Sequence, residues 1–364
     1  MKQQKNPLIK KHNLSFRKKT KIIKNLFYPA YKDRLYMTHL WVTTRCNIHC
    51  KFCYIRNYET KDPSLKELEK RLDKLKELGN RTTVIMGGEP TLRKDLPQII
   101  NACRKKDILS YLVTNGTLLN KKMIDKLGKN GLDIISISFD ALDFKDSLLI
   151  RYGKYECDPK EKLDLLQYAQ EKYDVMAFVA ICITKLNLDE IIPLMKVAQK
   201  YNLAITLTVM ANPFIIPNLK TQKTKKEKDP LLFKKIRDLK KLKKLIKKLK
   251  IMKKNGARII EPYTYFNRIL DFIENKEIEY MGCKAGKNFL DINTDGNIML
   301  CVMSDPLPIH YSQLTKNNYR KKLKPYRKKQ LQKCRKKCTL AAYLETSYYG
   351  DNLLEIIKTF LKIY

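Results

Sequence analysis

The chain has 364 residues, of which 44% are hydrophobic and 31% are charged. This length suffices for one large domain, alone or with a smaller one, and the scarcity of glycine (12) and proline (14) excludes a fibrous protein. No run of 18 or more uncharged apolar residues occurs, which predicts that there is no transmembrane segment. No apolar segment follows the basic N-terminus, so we find no secretory signal and expect a cytoplasmic protein.

Positive charge is in large excess, with 75 Lys and Arg against 37 Asp and Glu and a formal net charge of +38 at pH 7. Such an excess favours anionic partners, whether nucleic acid, phosphorylated substrate or acidic lipid. An AT-rich genome would produce the same lysine content with no partner, and both interpretations stay open. The segments that would form an anionic-surface contact with RNA or lipid are 1–35, 220–254 and 316–337.

Strands and helices alternate after a basic N-terminal arm over residues 1–35. Strands are predicted over 35–43, 81–86, 108–114, 132–139, 175–184 and 203–210, and helices over 63–78, 95–106, 121–130, 160–172 and 188–201. Six apolar, β-branched strands separated by helices predict a parallel sheet covered by helices. No G-x-G-x-x-G follows the first strand, so we predict a partial (β/α)6 TIM-type barrel as the core, over 36–215, with functional residues at the strands' C-terminal ends.

Two further segments follow this core. Residues 216–279 are predicted to be a basic helical linker region whose leucine and isoleucine residues recur at helical spacing. This pattern is typical of a helix packed on the domain with a solvated basic face, and also of a helix at a membrane surface. Residues 280–364 are predicted to form a small C-terminal α+β domain that ends in an amphipathic helix packed on the barrel.

Three cysteines, Cys46, Cys50 and Cys53, lie in the loop TTRCNIHCKFCYIRN directly after the first predicted strand. Thiolates bind iron–sulfur clusters, zinc or Cu(I). A [4Fe–4S] cluster takes four ligands, so three cysteines leave one iron open, whereas zinc would need His49 as its fourth ligand. Because His49 adjoins Cys50, joint tetrahedral ligation is awkward, and the spacing favours an iron–sulfur cluster with one open iron.

The C-x3-C-x2-C spacing, with Phe52 before the last cysteine, resembles the radical S-adenosylmethionine (SAM) superfamily. The resemblance implies that Cys46, Cys50 and Cys53 hold a [4Fe–4S] cluster whose open iron binds SAM. It also implies a one-electron reductant such as ferredoxin or flavodoxin, and reductive cleavage of SAM to a 5′-deoxyadenosyl radical that abstracts hydrogen from a substrate. A peptide or a small molecule is the favoured substrate.

Three later segments resemble the same family in the expected order. MGGEPTLRKDL (86–96) is similar to the GGEP motif, in which Gly87 and Gly88 would allow close approach of a ligand and Glu89 would meet the SAM ammonium. LVTNGTLLN (112–120) and ISISFDALD (135–143) resemble the next two strand ends. The resemblance implies that these ends contribute four cofactor-binding residues: Thr114, Asn115, Ser138 and Asp140. Of these, Ser138 and Asp140 would contact the ribose or the methionyl carboxylate of SAM.

A second cysteine group begins with Cys283 and Cys301, which flank a predicted hairpin whose turn lies at 293–297, and continues with Cys334 and Cys338. Four thiolates suit a fully ligated cluster or zinc. The segment resembles the SPASM/Twitch extension of radical SAM enzymes and, in its cysteine number, the shorter Twitch form. The resemblance implies a second, auxiliary [4Fe–4S] cluster, although the C-x3-C spacing of the last two cysteines departs from the pattern.

Other residues and functions complete the sequence-based expectations. We interpret Cys103, Cys157 and Cys182 as bystanders. Four tyrosines are candidates either for lining a substrate pocket or for the edge of the core: Tyr152, Tyr155, Tyr263 and Tyr265. The favoured function is a radical SAM oxidoreductase or maturase. The alternatives are the same chemistry on a lipid or RNA at an anionic surface, and a non-catalytic iron–sulfur or zinc protein.

Overall fold

The computed structural model describes residues 14–27, 34–50, 53, 55, 58–142, 151–152, 158–210, 236–274, 283–302, 304–334 and 353–364. Their strands are β1 (Met37–Thr43), β2 (His49–Cys50), β3 (Thr82–Gly87), β4 (Leu109–Thr114), β5 (Ile134–Ser138), β6 (Arg151–Tyr152), β7 (Met176–Ile183), β8 (Ala204–Val209), β9 (Phe289–Ile292) and β10 (Ile298–Met299). Their α-helices are α1 (Phe16–Ile22), α2 (Leu65–Leu78), α3 (Leu96–Lys105), α4 (Lys121–Lys129), α5 (Pro159–Tyr173), α6 (Ile191–Lys200), α7 (Ile236–Lys254), α8 (Tyr263–Ile273), α9 (Tyr319–Cys334) and α10 (Leu353–Ile363).

Eight strands form one sheet in the order β10-β9-β1-β3-β4-β5-β7-β8. The six strands predicted from the sequence are its parallel part, β1-β3-β4-β5-β7-β8. The hairpin β9–β10 extends this sheet, because β9 pairs in parallel with β1. The predicted α/β class is confirmed, and the edges β8 and β10 are not paired with each other among the described residues, as in a partial barrel.

The helices cover the outer face of the sheet. Each β-strand presents alternate residues to opposite faces, and on β1 the outward side chains Leu40 and Val42 pack in the main core against leucines of α2. Helix α2 begins at the N-cap Ser64, whose hydroxyl accepts from Glu67 N, and ends at Gly79, which has a left-handed φ of +105°. No described helix is long and apolar enough to cross a membrane.

The basic helix α7 belongs to the same core. It buries four apolar side chains there, namely Leu242, Leu245, Ile246 and Leu249, while most of its lysines are exposed or half-buried. The interpretation of a helix packed on the domain with a solvated basic face is therefore confirmed for residues 236–254. Residues 220–235, which complete the basic stretch predicted over 220–254, lie outside the described part.

Helices α1 and α10 cover the N-terminal edge of the sheet. Their side chains Ile22, Phe360 and Ile363, with Leu14 and Tyr364, form one apolar cluster with residues at or near the starts of four parallel strands: Leu109, Ile134, Met176, Phe178 and Ala204. The predicted packing of the C-terminal helix on the barrel is confirmed. The described part of the predicted basic arm also packs as a helix, so apolar side chains cover the starts of these four strands.

A buried carboxylate anchors α1 to this edge. Asp133 Oδ1 accepts from Lys18 Nζ at 2.9 Å and from Lys21 Nζ at 2.8 Å, and its Oδ2 accepts from Ser110 N at 3.2 Å. The Asp133 side chain is 2% exposed and the two lysine side chains are 13% and 27% exposed. One internal anion therefore holds two cations of the helix.

A buried arginine of α2 holds the hairpin in place. Arg71 donates from Nη1 to Asn293 O and from Nη2 to Thr294 O, both at 2.9 Å, and from Nε to Glu67 Oε1 at 3.1 Å. Tyr311 OH donates to the same Glu67 oxygen at 3.0 Å. The hairpin turn predicted at 293–297 is confirmed, and these contacts tie it to the barrel helix.

Replacing Asp133 by Asn should lower the free energy of unfolding by about 2 to 3 kcal/mol, because two partly buried ammonium groups lose their anion. Urea unfolding followed by circular dichroism measures the change. Asp73→Asn is the matched control, since that carboxylate is 65% exposed and pairs with Lys106 at the surface. The control should lose less than about 1 kcal/mol, and equal losses in the two variants would contradict the anchoring role.

Replacing Arg71 by Met should destabilise the hairpin by about 2 kcal/mol, because two buried carbonyl groups lose their donors. Amide hydrogen exchange should then become faster over residues 289–299 than over β4 and β5. Lys70→Met, at an exposed position of the same helix, is the control. Unchanged exchange in the hairpin of the Arg71 variant would show that the strand pairing alone holds it.

Candidate active site

The cysteine loop lies at the C-terminal edge of the sheet, directly after β1. Cys50 is buried, whereas Cys46 and Cys53 are half-buried. The loop is held by a two-residue ladder outside the main sheet, in which His49 pairs with Tyr152 and Cys50 with Arg151. Cys53 N also donates to Cys50 O at 3.1 Å. The three thiols predicted as metal ligands are therefore carried by one segment above the strand ends.

Two glycines bring the end of β3 against the start of this loop. Gly87 has a φ of +138°, and a Cβ added there would overlap the carbonyl oxygen of Thr43. A Cβ at Gly88 would overlap the carbonyl oxygen of Arg45. In this close packing Gly88 N donates to Thr43 O and Glu89 N donates to Arg45 O, each at 2.8 Å. The glycines thus permit a close approach of the chain to itself, and the predicted approach to a ligand stays a prediction.

Glu89 is buried between the ends of β3 and β4. Its Oε1 accepts from Thr91 N at 3.0 Å and from the Thr91 and Thr114 hydroxyls, each at 2.6 Å, and its Oε2 accepts from Asn115 N at 2.7 Å. Burial raises the pKa of the carboxyl group, and these hydrogen bonds oppose that rise. A carboxylate oxygen accepts more than one hydrogen bond, so Oε2 retains capacity for a ligand donor such as an ammonium.

Asn115 connects the end of β4 to the cysteine loop. Its Nδ2 donates to Asn47 Oδ1 at 2.9 Å and lies 3.9 Å from Cys46 Sγ. Thr117 closes the network, since its hydroxyl donates to Asn115 Oδ1 and accepts from Asn47 Nδ2, both at 2.7 Å. Sequence reasoning missed Asn47 and Thr117, because such residues are common in any turn. The position of Asn47 between two of the cysteines was the available signal.

Asp140 lies at the next strand end and is fully buried. Its Oδ1 accepts from Cys182 N at 2.8 Å, and its Oδ2 accepts from Arg151 Nε at 2.6 Å. Its backbone oxygen accepts from Asn187 Nδ2 at 2.8 Å. Both carboxylate oxygens thus have donors from the chain itself, and the predicted contact with ribose or the methionyl carboxylate stays a prediction. Ser138, the last residue of β5, is half-buried beside it.

The thiols of the cysteine loop are ligands of the type that an iron–sulfur cluster requires. Burial raises the pKa of Cys46 to about 11 and also raises that of Cys50, which the guanidinium of Arg151 partly offsets. Iron binds the thiolate, so loading would release these protons. Among the described residues no three or more His, Cys, Asp or Glu side chains converge closely enough to hold a metal ion.

The second cysteine group is described in part. Cys301 is buried and Cys283 half-buried in one apolar cluster that also contains Met37 and Phe289. Helix α9 packs against this segment, because Arg327 Nε donates to Ala285 O at 3.0 Å and its Nη2 donates to Cys283 O. Cys334 is the last residue of α9 and its side chain is not among the described groups, while Cys338 lies outside the described residues.

The remaining predicted residues fall into different environments. Cys103 is buried in the main core, as expected for a small apolar side chain, and Cys182 is half-buried at the end of β7. Of the two predicted environments for Tyr265, the structure shows the core, where the side chain is buried and its OH accepts from Val209 N at 2.9 Å. Tyr263 is exposed on α8. Cys157, Tyr155 and the Tyr152 side chain lie outside the described part.

The chain is similar in sequence to known proteins. An uncharacterised protein of Methanocaldococcus jannaschii is 29% identical over 238 residues, which cover 63% of this chain and 77% of that protein. The Fe-coproporphyrin III synthase of Methanosarcina barkeri is 35% identical over 104 residues, which cover 28% of this chain but only 26% of that enzyme.

Among solved structures, native anSMEcpe with bound AdoMet and Cp18Cys peptide superposes with a TM-score of 0.59 at 17% identity. The superposition covers 89% of this chain and 97% of that chain, and at this identity it shows the fold alone. The family model described as the radical SAM superfamily matches residues 42–198, which include the cysteine loop and the ends of β3, β4 and β5. This part of the chain is therefore a radical SAM superfamily domain.

Proposed function

We propose that the protein binds a [4Fe–4S] cluster through Cys46, Cys50 and Cys53 and cleaves SAM reductively to act on a peptide or small-molecule substrate. When bound, the cluster and SAM supply a 5′-deoxyadenosyl radical that abstracts hydrogen from that substrate. The observation that carries the proposal is the attachment of the cysteine loop to three successive strand ends. Glu89 N reaches Arg45 O, Asn115 reaches Asn47, and Arg151 links Asp140 to Cys50.

The chain's own residues have separate tasks in this proposal. Glu89 would accept from the SAM ammonium through Oε2, while Thr91 and Thr114 hold its other oxygen. Asn115 would keep the Cys46 segment in place through Asn47. The carboxylate of Glu89 is buried, and buried charges interact more strongly with a bound cation than exposed ones do.

The inner face of the sheet is the surface that we propose for the substrate. It presents aromatic and polar side chains, as a pocket for an organic molecule with polar groups requires. Tyr111 stacks edge-on with Phe178 at 5.5 Å between ring centroids, and its hydroxyl lies 3.2 Å from Ser136 Oγ. On the neighbouring strands β1 and β9, His39 Nδ1 lies 3.0 Å from Asp291 Oδ1. A peptide is favoured because the structural neighbour anSMEcpe holds one.

We also propose an auxiliary [4Fe–4S] cluster at Cys283 and Cys301, completed by Cys334 and Cys338, as in an oxidoreductase or maturase. The shared apolar cluster of the first two cysteines supports this proposal, and so does the anchoring of α9, which ends at Cys334, on the Cys283 segment.

The outer face of α9 is basic and exposed, with Arg320, Lys321, Lys324, Lys328 and Lys329. An acidic reductant such as ferredoxin or flavodoxin, or an anionic lipid or RNA, is the partner expected there.

Anaerobic reconstitution should load about eight irons and eight sulfides per chain. The triple variant Cys46→Ala, Cys50→Ala, Cys53→Ala should bind about four irons and should form no 5′-deoxyadenosine from SAM and dithionite, because one ligand set is gone. Cys103→Ala is the control, since that thiol lies in the main core away from the loop. Iron content that does not change in the triple variant would overturn the assignment of the loop.

The double variant Cys283→Ala, Cys301→Ala should lose about four irons yet retain SAM cleavage in the absence of substrate. Two of the four proposed ligands of the auxiliary site are removed, whereas the loop after β1 is left intact. Iron and sulfide content and 5′-deoxyadenosine formation are measured in parallel. Full iron content in this variant would show that the second cysteine group holds no cluster.

A further inference from the structure

A buried guanidinium lies between the cysteine loop and the barrel. Arg151 donates from Nε to Asp140 Oδ2 at 2.6 Å, and its Nη1 lies 3.6 Å from Cys50 Sγ. Its side chain is 14% exposed and that of Asp140 is fully buried. One residue of β6 therefore contacts a thiol predicted to bind iron and a carboxylate at the end of β5.

Both ends of this bridge are fixed by other contacts. The backbone of Arg151 pairs with Cys50 in the short β2–β6 ladder, which keeps the arginine beside the thiol. The carboxylate of Asp140 is oriented by Cys182 N at 2.8 Å, and its main chain is held by Asn187 Nδ2 at 2.8 Å. The β2–β6 ladder and Asp140, after β5, thus determine the position of the guanidinium together.

The chemistry of this arrangement suits a guanidinium that affects the reduction potential of a bound iron–sulfur cluster. Hydrogen bonds to the sulfurs and the local net charge set the reduction potential of iron–sulfur clusters. A planar guanidinium presents several N–H donors in a fixed geometry, so it can bond a carboxylate and a sulfur at once, which a lysine ammonium cannot do equally well. A cation beside a thiolate ligand stabilises the reduced, more negative cluster.

We propose that Arg151 is a positioning residue for the cluster, which holds the Cys50 sulfur and raises the reduction potential, and that Asp140 orients and partly neutralises it. This inference rests on the proposed function, because it requires a cluster at Cys46, Cys50 and Cys53. It assigns Asp140 a task within the protein that is separate from a contact with SAM.

Two variants should move the potential in opposite directions. Arg151→Gln removes the cation, and the one-electron reduction equilibrium constant should fall about tenfold, which corresponds to a potential about 59 mV more negative. Asp140→Asn removes the neutralising anion, and the potential should become more positive. A purely structural role would instead lower cluster content in both variants without opposite shifts.

The measurement is an anaerobic redox titration followed by electron paramagnetic resonance, using the reduced signal that changes on addition of SAM. Arg45→Gln is the matched control, because that side chain is 59% exposed, adjoins Cys46 and pairs with Asp62 without a described contact to sulfur. Its one-electron reduction equilibrium constant should stay within about twofold of the wild type, since an exposed charge is screened by solvent. If Arg151→Gln fails to load iron, Arg151→Lys keeps the charge and should show a smaller negative shift.

The outcomes separate the two levels of the proposal. Wild-type protein without a SAM-responsive signal would contradict the proposed function itself. A wild-type signal together with an unchanged potential in Arg151→Gln would overturn the role of Arg151 alone. Loss of SAM affinity at an unchanged potential would assign the arginine to the ligand instead.

Discussion

Two main-chain hydrogen bonds, from Gly88 N to Thr43 O and from Glu89 N to Arg45 O, hold the cysteine loop against the end of β3. They form only because neither glycine carries a Cβ that would overlap the loop backbone. Glu89 then lies buried beside the loop, where Thr114 and Asn115 reach it from β4. The geometry of the site depends on this contact between two strand ends.

Helices α1 and α10 and the hairpin β9–β10 pack on the sheet whose C-terminal edge carries this site. Helices α1 and α10 cover the starts of four parallel strands, and Thr114, Asn115 and Asp140 lie at the opposite edge, which carries the cysteine loop. Arg71 attaches the hairpin β9–β10 to α2, and β9 pairs with β1. The cysteine loop follows β1, and Cys283 and Cys301 flank the neighbouring hairpin β9–β10 of the same sheet.

Much of this arrangement could be predicted from the sequence, since each parallel strand is an apolar run and each covering helix has one apolar face. The hairpin turn at 293–297 was also predictable from its local residues. The pairing of β9 with β1 was not, because it joins segments some 250 residues apart, and no local pattern encodes such a pairing. Arg151 escaped prediction for a similar reason, since it lies in a charged loop and its partners Asp140 and Cys50 come from two other elements.

The fate of SAM with the reconstituted protein, under anaerobic conditions with dithionite, tests the proposed reductive cleavage most directly. If the protein cleaves SAM reductively, 5′-deoxyadenosine and methionine form in equal amounts, and neither forms without reductant. Intact SAM beside a fully loaded, reducible iron–sulfur protein would contradict it. That result would leave the cysteine loop as a metal site without the chemistry that its geometry indicates.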